Sequence, residues 1–363
     1  MSMLRTAFWA SSGVVGWVMV GYPATLAALP RRPWESDETF TPTVTLIVAA
    51  FRERELLAAK LRALSQLDYP ADRLEVIVVV DEDEETAALA REAWPAARVL
   101  FQPDRGGKPA ALNRGLDAAT GEIAIMTDAN NVLEPRSIRA AVRHFVDADI
   151  AVVAGKRGEQ GSTYDAYEDM IRRLETRSGS VAAMSGEFVV VRREECPRFP
   201  TDAVVDDLWL LCTMARDGRR SIYEPEATST ESAVDMTQER SRRSRMAAGR
   251  FMMASELDGL PTPFLWRVLS HKFGRLVLPF LLPVALVTSL ALMRRGGVYR
   301  LAALSQLALY GPGLAHLAGR PSPGPLRRIG KASAQFILGN YSVGIGVIRG
   351  ARKAQPIRWD PVR

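Results

Sequence analysis

Histidine and cysteine are scarce in this 363-residue chain. Its three histidines, His144, His271 and His316, are too scattered for a histidine-built metal centre. Its two cysteines, Cys196 and Cys212, show no metal-ligand spacing, and two thiols are no disulfide framework. A reducing compartment for the soluble part follows. Aromatic residues make up only 7% of the chain, and few of them interleave with its basic clusters. No nucleic-acid-binding motif accompanies the net charge of +6, so nucleic acid is not an expected partner. That charge then suits a phosphorylated substrate or anionic lipid. The loop GxxxxGK[ST] is also missing, which excludes a Walker-type phosphate site.

What the chain does have is order. Residues 7–29 carry no charge and are long enough to span a bilayer. Arg31 and Arg32 follow at once, which places the downstream side in the cytoplasm. A cleaved signal peptide is the competing reading, but no clear small-residue cleavage site is present. The expectation is an N-terminal transmembrane anchor over 1–30 and a polar linker over 31–42. Strands and helices then alternate. VTLIVAA (44–50), LEVIVVV (74–80), residues 99–101 and residues 123–127 read as buried strands, with helices between them. That alternation argues for a doubly wound sheet. Further on, a strand at 150–154, a helix at 164–178, a strand at 188–191 and a helix at 208–217 continue the pattern. Residues 221–223 close one more strand, and 224–234 read as a loop.

Three places carry chemistry. The strand in GEIAIMTDANN runs into Asp128, with Asn130 and Asn131 just beyond. Open α/β sheets bind ligands outside the carboxyl ends of their strands, although Asp and Asn are also ordinary turn formers. In QPDRGGK (102–108), two glycines precede a helix that starts with proline. Such a terminus can offer N–H groups to an anion, and Lys108 adds a mobile positive charge; a plain turn is the alternative. Asp206 and Asp207 open a helix, where the dipole alone is enough to favour acids. Beyond them, Arg240, Arg242, Arg243, Arg245 and Arg250 crowd one segment. Arginine forks suit phosphate, and lipid headgroups are the other candidate anion.

The C-terminal third is apolar. Residues 261–275 mix apolar and basic side chains, as an interfacial helix does. Residues 276–350 hold one clear candidate span, 276–293, and two interrupted ones, 298–318 and 332–348. The tail, 351–363, is basic. One anchor plus three later spans would put that tail outside, against the positive-inside rule, so a re-entrant or interfacial late segment is one resolution.

Taken in sequence, these pieces resemble a family 2 glycosyltransferase of the GT-A fold over residues 43–275. Ala50-Phe51-Arg52-Glu53 stands where the family has A-Y-N-E, and VVVDEDEET is similar to its nucleotide-binding strand. GGKPAALNRGL resembles the G-K-x-x-A-L-N segment, Asp128-Ala129-Asn130 the DxD, and Val205-Asp206-Asp207 the E-D motif. The resemblance implies an α/β fold: a GT-A, Rossmann-like, mostly parallel sheet in a cytosolic domain (43–260) flanked by transmembrane or interfacial helices. It implies an integral membrane protein with its catalytic domain on the cytoplasmic face. Its partners would be a nucleotide-sugar donor, most commonly a uridine one in the family, a glycan or lipid-linked acceptor, and membrane lipids. Donor binding would fall to Ala50, Glu53, Asp81, Lys108, Asn113, Asp128, Arg242, Arg243 and Arg245. Mg²⁺ or Mn²⁺ would sit on Asp128 and Asn130. Asp207 would be the general base, with Asp206 beside it. Three departures stand out. Asn130 replaces the second acid of DxD, Asp206 replaces Glu, and QERSRRSRM lies where relatives carry QxxRW. These leave two alternatives, a membrane-attached nucleotide-sugar-binding pseudoenzyme and a processive polysaccharide synthase. Asn130→Asp is expected to be tolerated.

Overall fold

The computed structural model describes residues 2–158, 163–202, 204–231, 236–320, 323–324 and 326–354. These divide into a sheet unit, residues 29–231 with 255–267, and a helical unit made of the N-terminal segment, residues 236–254 and the described residues of 268–354. The chain starts in the helical unit with α1 (Ser2–Gly16) and α2 (Tyr22–Ala28), joined by a π-helical turn.

In the sheet unit, β1 (Val44–Ala50) leads to α3 (Arg54–Ala63), β2 (Leu74–Asp81) to α4 (Glu84–Ala93), and β3 (Arg98–Gln102) to α5 (Gly107–Ala118). Next come β4 (Ile123–Asp128), the short β5 (Asn131–Leu133), α6 (Ser137–Val142), β6 (Ile150–Arg157) and α7 (Thr163–Ser178). β7 (Phe188–Arg192), α8 (Asp206–Arg216) and β8 (Arg220–Glu231) complete it. The strand order is β3-β2-β1-β4-β7-β6-β8-β5. The first four strands are mutually parallel; β7 runs against both neighbours, β6 and β8 are parallel, and β5 is antiparallel to β8. The central strands are apolar without alternation because both faces are covered: Leu46, Ile47, Val48, Ile77, Val78, Ile125 and Val190 are all buried. Chain direction across the sheet reverses between β1, which is followed by β2 on one side, and β4 on the other. Ala49 pairs with Asp128 there, so the crevice of a doubly wound sheet opens beside Asp128. Gly115 lets α5 lie close on that sheet, since a Cβ there would come within 2.3 Å of Ile47 Cγ2.

One sequence expectation changes. Residues 224–231 are strand rather than loop: β8 continues past a bulge beside Gly155 and pairs with β5. Pro225 sits in that irregularity, where no ladder donor is needed. The linker 31–42 has no helix or strand, yet it is pinned. The Arg220 guanidinium donates to the carbonyls of Arg32 and Pro33 and lies over the Trp34 ring, whose Nε1 donates to His144.

The helical unit continues with α9 (Met236–Met252), which packs on the last helix. α10 (Thr262–Val268) belongs largely to the sheet unit. There Arg267 is buried, and its guanidinium donates to the carbonyls of Glu175 and Ser178 at the end of α7. It therefore satisfies orphaned carbonyls of that helix. α11 (Gly274–Leu292), α12 (Gly297–Leu317) and α13 (Leu326–Ala351) follow. Among the described residues, the stretch Thr262–Leu292 is the one helix long and apolar enough to cross a membrane by length and composition. Most of the basic tail, 355–363, lies outside the described residues.

Candidate active site

Four acidic or basic side chains of the sheet unit converge at the carboxyl end of β4. Each is delivered by a strand end or a helix start. Asp128 is the last residue of β4, Lys108 lies in the first turn of α5, and Asp206 and Asp207 open α8. Lys108 Nζ is 2.6 Å from Asp128 Oδ1 and 3.6 Å from Asp206 Oδ2, and it donates to the Gly186 carbonyl at 3.0 Å. Burial alone would lower the Lys108 pKa. Asp128, Asp206 and Asp207 outweigh it and hold the ammonium charged, well above the usual range. Asp207 is buried, and its Oδ1 accepts from the Leu208 N–H. Beside the two aspartates a small cavity is walled by Leu112, Met126, Met184 and Phe199. Gly186, whose carbonyl accepts from Lys108, also lines it.

Glu53 stands at the N-terminus of α3 and belongs to this group rather than to the Asp81 side. Burial pushes its carboxyl up to about 7, and the negative charges of Asp128 and Glu231 add to the shift. Glu231 is brought here by the pairing of β5 with β8, which sets it opposite Asn131. It accepts from Asn130 Nδ2 at 2.8 Å and is ion-paired to Arg157. Asn130 Oδ1 is buried and has no hydrogen-bond partner among the described residues. A buried orphan acceptor two residues from a partly exposed carboxylate fits a hard divalent cation, which takes oxygen ligands and keeps several waters. Asp128 and Asn130 are thus the residues that could hold Mg²⁺ or Mn²⁺.

Other expected site residues have different surroundings. Asp81 is buried, and its carboxylate accepts from the N–H groups of Gly106 and Gly107 and from Gln102 Nε2. The amides at the start of α5 therefore bind an internal carboxylate instead of a ligand phosphate, and Asp81 shapes the loop that carries Lys108. Gly107 has φ +79°, a conformation that excludes most side chains. Asn113 gives both ends of its amide to the Phe199 backbone, accepting its N–H and donating to its carbonyl. It fixes the loop before α8. Ala50 ends β1, with Phe51 beyond it under the Arg105 guanidinium, 4.4 Å from the ring centroid. Arg242, Arg243 and Arg245 lie on α9 in the helical unit, where Arg243 pairs with Glu239 on its own helix. The sequence reading missed Glu231, Gly186 and Lys60. Only Lys60 left a signal, a charge on the apolar stripe of α3.

A doubly wound sheet with a lysine-bridged carboxylate cluster at its reversal point is the arrangement of a GT-A-type domain that handles activated sugars. The chain belongs to the glycosyltransferase-like family 2, whose match covers residues 42–250. It is similar to the probable glycosyltransferase YdaM of Bacillus subtilis, 29% identical over 34% of this chain and 31% of that one. It is also similar to the beta-monoglucosyldiacylglycerol synthase of Synechocystis sp., 26% identical over 69% of this chain and 57% of that one. The chain thus spans less than two thirds of the length of these curated relatives. Among solved structures, it resembles the mannosyltransferase PcManGT of Pyrobaculum calidifontis, in complex with GDP-Man and Mn²⁺. The TM-score is 0.76 and the identity 25%, over 96% of this chain and 99% of that one.

Proposed function

We propose that this protein transfers a hexosyl group from a nucleotide-diphosphate sugar to a hydroxyl of a glycan or lipid-linked acceptor, with inversion. The observation that carries the reading is the Lys108–Asp128–Asp206–Asp207 cluster at the reversal point of the sheet. The same cluster makes a purely structural role for the two aspartates a poor fit, since a helix dipole does not require a further acid across a lysine. Asp207 takes the proton of the acceptor hydroxyl as its oxygen bonds to the anomeric carbon. The bond from that carbon to the diphosphate breaks, and the nucleoside diphosphate leaves with the electron pair. The carbon passes through an oxocarbenium-like state, as in glycoside hydrolysis. Lys108 supplies positive charge toward the departing diphosphate and orients Asp206. A divalent cation on Asp128 and Asn130 would offset the growing charge of the leaving group. Phe51 and Arg105 offer a flat stacking face for a nucleobase.

The helical unit supports a membrane setting for this chemistry. Val277, Phe280, Val284, Val287 and Leu290 on α11 are exposed, as are Leu301, Leu304 and Leu314 on α12. Exposed apolar side chains at this density on consecutive helices suit a lipid environment, with the basic residues Arg294, Arg295 and Arg300 near headgroups.

The test is purified protein, Mn²⁺ and a panel of nucleotide sugars, assayed for nucleotide release. Asp207→Asn is expected to lower turnover by about 10²–10⁴, the range of a general base, with donor binding preserved. Donor binding without nucleotide release, unchanged in Asp207→Asn, would defeat the enzyme reading and leave a nucleotide-sugar-binding protein.

A further inference from the structure

α3 turns an apolar stripe of Leu57, Leu61 and Leu64 into the core, and Lys60 lies on the same stripe, 1% exposed. Among the described residues its ammonium forms no ion pair. Its three donors go instead to Thr127 Oγ1 at 2.9 Å, to the Asn131 carbonyl at 2.8 Å and to Asn131 Oδ1 at 2.6 Å. Three oxygens converging on one nitrogen match the three donors of an ammonium. Thr127 Oγ1 also donates to Asn131 Oδ1 at 2.8 Å, and Asn131 Nδ2 donates to the Glu187 carbonyl at 2.6 Å. Thr127, Asn131 and Glu187 are themselves buried. The network is therefore buried, and these bonds run to residues flanking the turn 128–130 and to the segment just before β7.

A buried charge is retained at a cost, so what it holds is informative. Thr127 precedes Asp128 and Asn131 follows Asn130. Lys60 thus clamps the two ends of the three-residue turn that carries Asp128 and Asn130. We propose that Lys60 is a positioning residue that fixes the separation of the Asp128 carboxylate and Asn130 Oδ1, so that the pair binds a divalent cation with a single acid in the turn. The inference rests on the glycosyltransferase reading for the identity of the cation site. Burial outweighs the opposing charges of Asp128, Glu187 and Glu53 and draws the Lys60 pKa down to about 7. Outer-shell partners of metal ligands commonly affect metal affinity by 10–100-fold, which sets the scale of the effect.

The experiment measures binding of Mn²⁺ alone to the full chain, by electron paramagnetic resonance of the free ion, with thermal unfolding recorded in parallel. The proteins are wild type, Lys60→Met, Thr127→Val and the double variant. Met keeps the length and apolar stem of Lys60, and Val is isosteric with Thr, so each removes donors or an acceptor with little change of volume. Lys60→Met is expected to bind Mn²⁺ about tenfold more weakly and Thr127→Val several-fold more weakly. The double variant should be no worse than Lys60→Met, because the two act through one network. A merely structural lysine would lower the unfolding temperature and leave Mn²⁺ affinity unchanged, and that result overturns the proposal. Should Lys60→Met not fold, wild-type affinity in Thr127→Val is sufficient to overturn it. A wild-type protein that binds no Mn²⁺ overturns the cation site itself and this inference with it, whereas equal binding by all the proteins overturns the inference alone.

Discussion

Lys108→Met separates two roles that the wild-type chain combines in one side chain. The ammonium lies 2.6 Å from Asp128 and 3.6 Å from Asp206, and all three side chains are about a quarter exposed, at 26%, 28% and 21%. Breaking a fully buried pair costs about 3–5 kcal/mol, and an exposed pair is worth about 0–1 kcal/mol. At this exposure a loss of about 2 kcal/mol is expected without metal, because the two aspartates are left facing each other with no cation between them. The Lys108 pKa is raised, so this contribution is fully present at neutral pH and is lost only as pH rises through the folded-state value. A divalent cation at about 100 times its dissociation constant stabilises the folded state by about 2.7 kcal/mol. In wild type the cation must first displace the ammonium from Asp128; in the variant that competition is gone. Thermal unfolding with and without Mn²⁺ should therefore show a larger metal-induced gain in Lys108→Met than in wild type. Turnover at saturating Mn²⁺ should nevertheless fall by about 10²-fold or more, since the positive charge toward the leaving diphosphate is missing. Equal metal-induced gains in the two proteins, or no destabilisation of the metal-free variant, would refute the reasoning.

Asn130→Asp, expected from sequence to be tolerated, should instead weaken the protein, because the amide that now donates to Glu231 Oε1 becomes a carboxylate beside it. Adding Glu231→Gln should restore stability, and unfolding midpoints of the single and double variants check this. Glu53→Gln should stabilise the metal-free chain at pH 8 and not at pH 4. The folded carboxyl titrates near 7 against 4.5, so stability is lost as pH rises through that interval, with a ceiling on the order of 3 kcal/mol. Denaturant unfolding at the two pH values reads the difference.

The parallel half of the sheet was legible because a strand covered on both faces must be apolar throughout, and VTLIVAA and LEVIVVV announce that. Lys108, Asp128, Asp206 and Asp207 were legible for a related reason: each stands at the junction of such a strand or a helix with a loop. β8 was not. Its second half, with Glu, Pro, Thr and Ser, has a loop's composition and becomes strand only because β5 and β6 offer it partners across a bulge. Glu231 was hidden with it, since its closeness to Asn130 is a matter of register and not of spacing. Asp81 and Asn113 have the residue types of a binding site, but local composition does not show that their oxygens are already taken by Gly106, Gly107 and Phe199.

That internal use of Asp81 bears on how the site meets a diphosphate. In many nucleotide folds the amides at a helix N-terminus carry much of the phosphate's charge. Here the amides of Gly106 and Gly107 at the start of α5 neutralise a buried aspartate instead, which stiffens the Gly-Gly turn and aims Lys108 at Asp128. On the proposed reading, a diphosphate in the sheet unit would then rely on side-chain charge and on a bound cation. With one carboxylate in the Asp128-Ala129-Asn130 turn, the cation depends more on geometry than on ligand charge. A neutral Asn130 oxygen attracts a divalent ion far less than a carboxylate does, so its position has to be set in advance. Its amide nitrogen is held by Glu231, the far side of the turn is clamped by Lys60 through Asn131, and its oxygen is left without a protein partner. An asparagine oriented in this way substitutes preorganisation for charge, and it avoids placing another acid beside Glu231 and the already strained ionisation of Glu53.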